Sequence, residues 1–253
     1  MGGGMSQRVA LVTGAGAGVG RAVALRLARQ CAAGTVLVND VVSEAAERVA
    51  GEVTELGARG VPAVADVTSW DAVRDLVDQH GPIDVLVNNA GVPVGSAEPA
   101  QFATSEPVQW APWMKLNLEA VMYCTRAVLP GMLQNRWGRV ITVISDAARV
   151  GEAGLVAYSA AKAGAAGFMR AVAREVGPAG VTCNCVALGT IKHGRIAEFL
   201  TEEIERKMLR AYPTSRLGTP DDAAGMIAFL AGADAEWITG QTYPVNGGFS
   251  MAV

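Results

Sequence analysis

A chain of 253 residues with 51% hydrophobic content can bury a large core, as one α/β domain or two smaller ones. Its 21 basic and 24 acidic residues are scattered and leave a net charge of −3, which excludes the basic face of a nucleic-acid binder. No apolar run approaches the roughly 18 residues of a membrane span, and no secretory signal precedes the first apolar strand; a cytoplasmic protein is expected. Cys31, Cys124, Cys183 and Cys185 read as buried thiols of a reducing compartment. With only His80 and His193 to join the 183/185 pair, no metal site is expected.

Residues 1–6 read as a flexible leader, with Met5 as an alternative start. Beyond it, short β-branched runs predict strands at 9–13, 35–39, 61–65, 83–88, 139–144, 181–186 and 241–245. Helical patterns lie between them near 18–30, 43–57, 69–80, 110–135, 155–176 and 220–232. Nearly continuous apolar strands separated by helices predict an α/β fold, a doubly wound parallel sheet covered on both faces. Ligands then collect outside the carboxyl ends of the strands. No linker or repeat interrupts the alternation, so one domain over 7–253 is expected. The stretch 188–220 stands apart: Ile196, Phe199, Leu200, Ile204 and Met208 form an apolar stripe on a helix near 196–209. Such a helix, inserted directly after a strand end, predicts a lid over the carboxyl edge, with an ordinary packed excursion as the alternative.

A glycine-rich turn, residues 13–20, follows the first strand and opens the first helix. Glycines there let the backbone approach a pyrophosphate, whose charge the helix N-terminus stabilises. Asp40 ends the second strand, where a carboxylate accepts hydrogen bonds from ribose hydroxyls and repels a 2′-phosphate. With no cation among Val41, Val42 and Ser43, the expected cofactor is NAD(H) and not NADP(H); the alternative is that Asp40 only caps the next helix. Asp66, at the end of the third strand, either bonds the adenine amino group or caps the helix after Thr68. Tyr158 and Lys162 stand one helical turn apart on one face. An ammonium beside a phenol favours the phenolate and makes the tyrosine a general acid/base. Ser145 lies thirteen residues upstream, at the end of the fifth strand.

The motifs Thr13-Gly14-x-x-x-Gly18-x-Gly20, Asn88-Asn89-Ala90-Gly91, Asn117, Ser145, Tyr158-x-x-x-Lys162, Asn184 and the tail Asn246-Gly247-Gly248 occur in this order. Together they resemble the short-chain dehydrogenases/reductases, over about residues 7 to 250. The resemblance implies a Rossmann-type seven-stranded sheet and a catalytic set of Asn117, Ser145, Tyr158 and Lys162. Tyr158 exchanges a proton with the reacting oxygen, Ser145 hydrogen-bonds that oxygen, Lys162 lowers the phenol pKa, and Asn117 holds a relay water. It further implies cofactor contacts from Gly14, Gly18, Val19 and Gly20 in the turn, and from Asp40, Asp66 and Val67. Asn89, Ala90, Gly91, Tyr158, Lys162, Gly189 and Ile191 complete that set. A homotetramer is the assembly it implies.

Departures narrow the reading. Leu188 stands where the family commonly has Pro, and His193 where it has Thr; His193 is expected to be a solvated loop residue, with a substrate or phosphate contact as the alternative. Asp146 directly follows the serine and either positions its loop or faces substrate. The carrier-protein reductases of the family dock their partner with two arginines, of which only Arg136 is matched, Ala179 standing at the other position. Arg149, Lys192, His193 and Arg195 are expected to gather at the mouth and attract an acyl-CoA, scattered solvated cations being the alternative. The expected substrate is therefore a hydroxyacyl or oxoacyl thioester. A 3-oxoacyl carrier-protein reductase using NADPH, a steroid or cyclic alcohol dehydrogenase and, remotely, a non-catalytic nucleotide-binding scaffold are the alternatives.

Overall fold

The computed structural model describes residues 8–30, 34–93, 101–194 and 200–251. All seven expected strands form: β1 (Val9–Val12), β2 (Thr35–Asp40), β3 (Arg59–Val64), β4 (Val85–Asn88), β5 (Gly138–Ser145), β6 (Val181–Leu188) and β7 (Thr242–Val245). They build one parallel sheet in the order β3-β2-β1-β4-β5-β6-β7. The chain reverses its direction of winding after β3, so β1 and β4 become neighbours and a crevice opens at their carboxyl ends.

Register explains why the strands read as unbroken apolar runs. Leu11 pairs with Leu37 on one side and with Leu86 on the other. That row faces Leu76, Cys124, Val128 and Met169. The alternate row, Ala10, Val12, Val36, Val38, Val85 and Val87, faces Val23, Leu27, Val49, Val53, Ile227 and Leu230. Successive side chains point to opposite faces of a strand, and here both faces are core. The first layer of helices is α3 (Trp70–His80), α5 (Ala120–Asn135) and α7 (Val156–Val176); the second is α1 (Gly18–Arg29), α2 (Ser43–Glu55) and α9 (Pro220–Ala231). No helix among the described residues is long and apolar enough to cross a membrane.

Two expected helices differ from their sequence patterns. The long helix of 110–135 is divided into α4 (Pro107–Met114), a π-helical turn (Lys115–Glu119) and α5. Periodicity cannot reveal one widened turn, because the apolar stripe continues through it; such turns recur at functional sites. The helix expected near 196–209 is α8 (Glu202–Leu209), with Thr201 accepting at its N-terminus from the Ile204 N–H. Ile196 and Phe199 lie outside the described residues. A short helix that the sequence did not suggest, α6 (Ala147–Val150), follows β5. Cys124, Cys183 and Cys185 are buried and free, while Cys31 lies outside the described residues. Burial pushes each of these three thiols up to about 12, which leaves them inert.

Asn184 ties the edge strand to the sheet. Buried in β6, it donates from Nδ2 to the Ile238 carbonyl at 2.8 Å and accepts the Gln241 N–H at 3.0 Å. Asn184→Ala leaves both backbone groups unpaired at the start of β7. We expect it to lower the unfolding free energy by about 1–3 kcal/mol, measured by urea denaturation; a loss within about 0.5 kcal/mol refutes this anchoring role.

Candidate functional site

The carboxyl ends of β1, β2, β4, β5 and β6 border one open cleft of about 1200 Å³. Its near end is the glycine turn. Gly14 and Gly18 both take positive φ, at 61° and 54°, where a side chain is strained. Asp40 reaches this turn from β2: Oδ2 accepts the Gly16 N–H at 2.9 Å and Oδ1 accepts the Val42 N–H at 3.1 Å. The carboxylate therefore orders the turn that leads into α2 and also pins the glycine turn. A Cβ on Gly16 would lie 2.7 Å from that carboxylate oxygen, so glycine is required here for close approach. Gly16 was missing from the sequence-predicted set, because the G-x-G-x-x-G spacing is not met and nothing local marks it.

The turn after β4 is locked to the glycine turn. Thr13 Oγ1 accepts the Asn89 and Ala90 N–H groups at 2.9 and 3.1 Å, and Asn89 Nδ2 donates to the Thr13 and Gly14 carbonyls. Asn88 turns inward and donates to the Thr125 and Thr142 hydroxyls, which makes it an ordering residue of the sheet. Asp66 accepts from the Thr68 N–H and hydroxyl, so it orders the turn before α3 while lining the cleft beside Val67. Val19, Gly189 and Ile191 also line it; Gly20 is buried beneath the turn, against the Gly14 carbonyl.

At the far end, β5 delivers Ser145 and α7 delivers Tyr158 and Lys162. Ser145 Oγ accepts the Ala147 N–H at 3.2 Å, which leaves its proton free to donate. Tyr158 bonds Ser145 and takes the edge of Trp113 at 5.5 Å between ring centroids. Lys162 is 2% exposed, and its Nζ donates to the Val143 carbonyl at 2.7 Å. The π turn swings Asn117 fully inward, with Nδ2 on the Trp113 carbonyl at 3.0 Å. Its Oδ1 is buried without a donor. A Cβ on Gly91 would lie 3.1 Å from that oxygen and 3.3 Å from Lys162 Nζ, so both atoms crowd one backbone. An unpaired buried amide oxygen costs about 1–3 kcal/mol; this one lies beside Gly91, which lines the cleft. The residues present thus fit a nicotinamide dinucleotide, with the glycine turn for its phosphates and Asp40 for a ribose.

Two electrostatic expectations need correction. The Tyr158 phenol lies above its ordinary value, not below it: burial raises it, the Ser145 hydrogen bond offsets part of this, and Glu152 adds to the rise. Lys162 does not enter that balance, its Nζ standing 5.9 Å from the Tyr158 ring centroid, and burial pushes its own ammonium down to about 8. Among the described residues, two of the cations expected at the mouth are already paired. Arg149 pairs with Asp146 at 2.8 Å and Lys192 with Glu205 at 2.8 Å. Arg195 lies outside the described residues, and His193, expected in solvent, is half-buried against Gly18 at the turn end. Arg136, in the left-handed region at φ 51°, ends α5 and donates to the Pro178 carbonyl.

A family model for short chain dehydrogenases matches residues 8–204. The chain belongs to the short-chain dehydrogenase family. This short-chain dehydrogenase is 40% identical, over 98% of both chains, to the BbsD subunit of a hydroxy(phenyl)methylsuccinyl-CoA dehydrogenase from Thauera aromatica. It is 38% identical to a cyclohexanol dehydrogenase from a Rhodococcus species, over 97% of each. It is also 37% identical to a 3-oxoacyl-(acyl-carrier-protein) reductase from Vibrio cholerae, over 96% of this chain and 98% of that one. A solved 3-oxoacyl-(acyl-carrier-protein) reductase from Brucella melitensis superposes with a TM-score of 0.90 at 31% identity, over 97% of this chain and 92% of that one. The chain is therefore an NAD(P)-dependent oxidoreductase acting on CH–OH groups.

Sequence reasoning missed Trp113, Tyr212 and Phe249, the aromatic side chains of the cleft's far end. Each comes from a different segment, so no spacing signals them.

A buried ammonium burdens the fold, with a sign that can be checked. The folded pKa of Lys162 lies below its unfolded value, so the cost is full below about pH 8 and gone above about 10.5. We expect Lys162→Met to be more stable than wild type by about 1–3 kcal/mol at pH 7, while losing turnover. The advantage should shrink between those two pH values in urea titrations; an advantage independent of pH would show that charge burial is not its cause.

Proposed function

We propose that this enzyme is an NAD(H)-dependent oxidoreductase that interconverts a secondary alcohol and a ketone, on a hydroxyacyl or oxoacyl thioester of coenzyme A. The observation that carries the reading is one cleft bordered by Asp40 at one end and by Ser145, Tyr158 and Lys162 at the other. The nicotinamide, when bound, supplies or accepts the hydride. Tyr158 gives a proton to the reacting oxygen in reduction and takes it in oxidation. A phenol is neutral at pH 7 and so carries the proton to be donated; the rise caused by burial makes it the weaker acid, which the Ser145 hydroxyl offsets in part while stabilising the charge that develops on the same oxygen. Lys162, with a pKa of about 8, would return a proton to Tyr158 and regain it from solvent through a water that the Asn117 amide oxygen would accept from.

The NAD(H) preference rests on the Asp40 carboxylate, and the thioester on the relative whose name specifies a succinyl-CoA derivative. A second reading has one observation in its favour. Arg48 of α2 donates to the Gly16 carbonyl at 2.7 Å, so the turn that meets Asp40 also meets a guanidinium. That cation is shared with Glu52 at 3.0 Å, which weakens its pull on a 2′-phosphate; a carrier-protein reductase using NADPH is accordingly second. The same proposal includes a homotetramer, supported by the half-exposed edge strand β7 and by Trp237, 97% exposed beside it. It includes a cytoplasmic location, supported by the three free buried cysteines.

Fluorescence titration with NADH and NADPH, followed by turnover of 3-oxoacyl-CoAs and cyclic ketones, tests the reading; tighter NADPH moves the carrier-protein reductase to first place. Asp40→Asn keeps an acceptor for the turn but removes the charge. It should narrow the preference for NADH at least about tenfold, about 1.4 kcal/mol, and an unchanged ratio removes Asp40 from cofactor choice. Tyr158→Phe should cut kcat by about 10²–10⁴ with NADH binding largely intact. Turnover within about tenfold of wild type would take Tyr158 out of the mechanism.

A further inference from the structure

The residue after Ser145 has no part in the chemistry above, yet it is a carboxylate only 3% exposed. Asp146 is fully partnered. Its Oδ1 accepts from Arg149 Nη1 at 2.8 Å, its Oδ2 accepts from Asn246 Nδ2 at 2.6 Å, and its own N–H donates to the Leu188 carbonyl. Arg149 then reaches the end of the chain, donating to Ser250 Oγ at 2.6 Å and to the Met251 carbonyl at 3.1 Å. The segment between is folded tightly on itself: Asn246 Oδ1 accepts the Gly248 N–H, and the Asn246 carbonyl accepts the Phe249 N–H. A buried carboxylate is tolerated only with such partners, so the serine loop and the chain end hold each other.

This turn carries Phe249 into the cleft. Its ring lies 5.3 Å from that of Tyr212, at 30°. Tyr212 is itself fixed, its hydroxyl donating to Thr190 Oγ1 at 3.0 Å and accepting the Thr190 N–H at 2.9 Å. Trp113 lines the same cleft with its edge against Tyr158. Three aromatic side chains, from α4, the segment after α8 and segment 246–251, thus line the cleft that holds Tyr158. With Arg149 and Lys192 occupied by carboxylates, recognition at this end falls to flat apolar surface.

We propose that Asp146 and Arg149 are positioning residues that latch segment 246–251 onto the serine loop, and that the latched Phe249, with Tyr212 and Trp113, selects a substrate bearing an aromatic or alicyclic ring beside its carbinol carbon. The inference rests on the oxidoreductase reading above and deepens it, and it does not depend on the thioester.

The test compares a ring-bearing ketone with a linear ketone of equal carbon number, each free and as its coenzyme A thioester, on the full chain. Wild type should favour the ring-bearing member by about tenfold or more in kcat/KM. Phe249→Ala and Arg149→Ala should each abolish that preference, mainly through KM of the ring-bearing ketone, with kcat changed less than about threefold. Because Arg149 acts through Phe249, the double variant should be no worse than either single one, and Phe249→Trp should keep the preference. Should Arg149→Ala leave Asp146 too exposed to fold, Asp146→Asn/Arg149→Gln removes both charges and serves in its place. Equal losses on the linear ketone, or losses that add, would mean a merely structural role and overturn the proposal, as would a wild type indifferent to the ring. Turnover of free ring-bearing ketones without their thioesters would defeat the acyl-CoA reading and leave the latch standing.

Discussion

A parallel sheet ends its strands on one edge, and there the backbone ladder stops while the chain still has to turn. The N–H and C=O groups of those turns need partners, and an unpaired one buried at this edge costs as much as a lost hydrogen bond. In this enzyme the partners are side chains. Asp40 takes the Gly16 and Val42 N–H groups, Thr13 takes those of Asn89 and Ala90, and Asn89 serves the Thr13 and Gly14 carbonyls. Lys162 supports the Val143 carbonyl, and Tyr212 supports Thr190. The groups that shape the cleft are the groups that close the sheet's edge.

The same arrangement concentrates polar burial. Lys162 and Asp146 sit almost wholly out of water within one strand end of each other, and each is retained against a desolvation cost. Asp146 recovers it through Arg149 and Asn246. Lys162 recovers less, through its bond to the Val143 carbonyl. A group so placed has its protonation set by its surroundings near neutral pH, which is a property useful for moving protons and unhelpful for stability. Asp146 and Lys162 therefore differ in kind, one fully partnered, the other only in part.

Much of the fold was legible because both faces of the sheet are core. Alternation is invisible in such strands, but length, β-branching and the intervening helical periods suffice, and the seven strand positions shifted by at most two residues at an end. The π turn at 115–119 was not legible, since one widened turn leaves the apolar stripe intact. Nor was α6, four residues long, whose pattern is too short to show a period.

The sequence by itself determined the parallel α/β architecture, the glycine turn, and the residue types of the Ser145, Tyr158 and Lys162 set, because these follow from local spacing and local chemistry. Tertiary structure decided what those groups feel. Burial set the direction of the Tyr158 shift against the expectation drawn from its proximity to Lys162, and lowered Lys162 as well, since desolvation depends on everything packed around a group and not on its neighbour in sequence. Packing also decided which cations were spent, pairing Arg149 with Asp146 and Lys192 with Glu205. And it brought Trp113, Tyr212 and Phe249 to one cleft from segments more than thirty residues apart, a juxtaposition that no one-dimensional pattern can carry because distance in space is fixed by the whole fold.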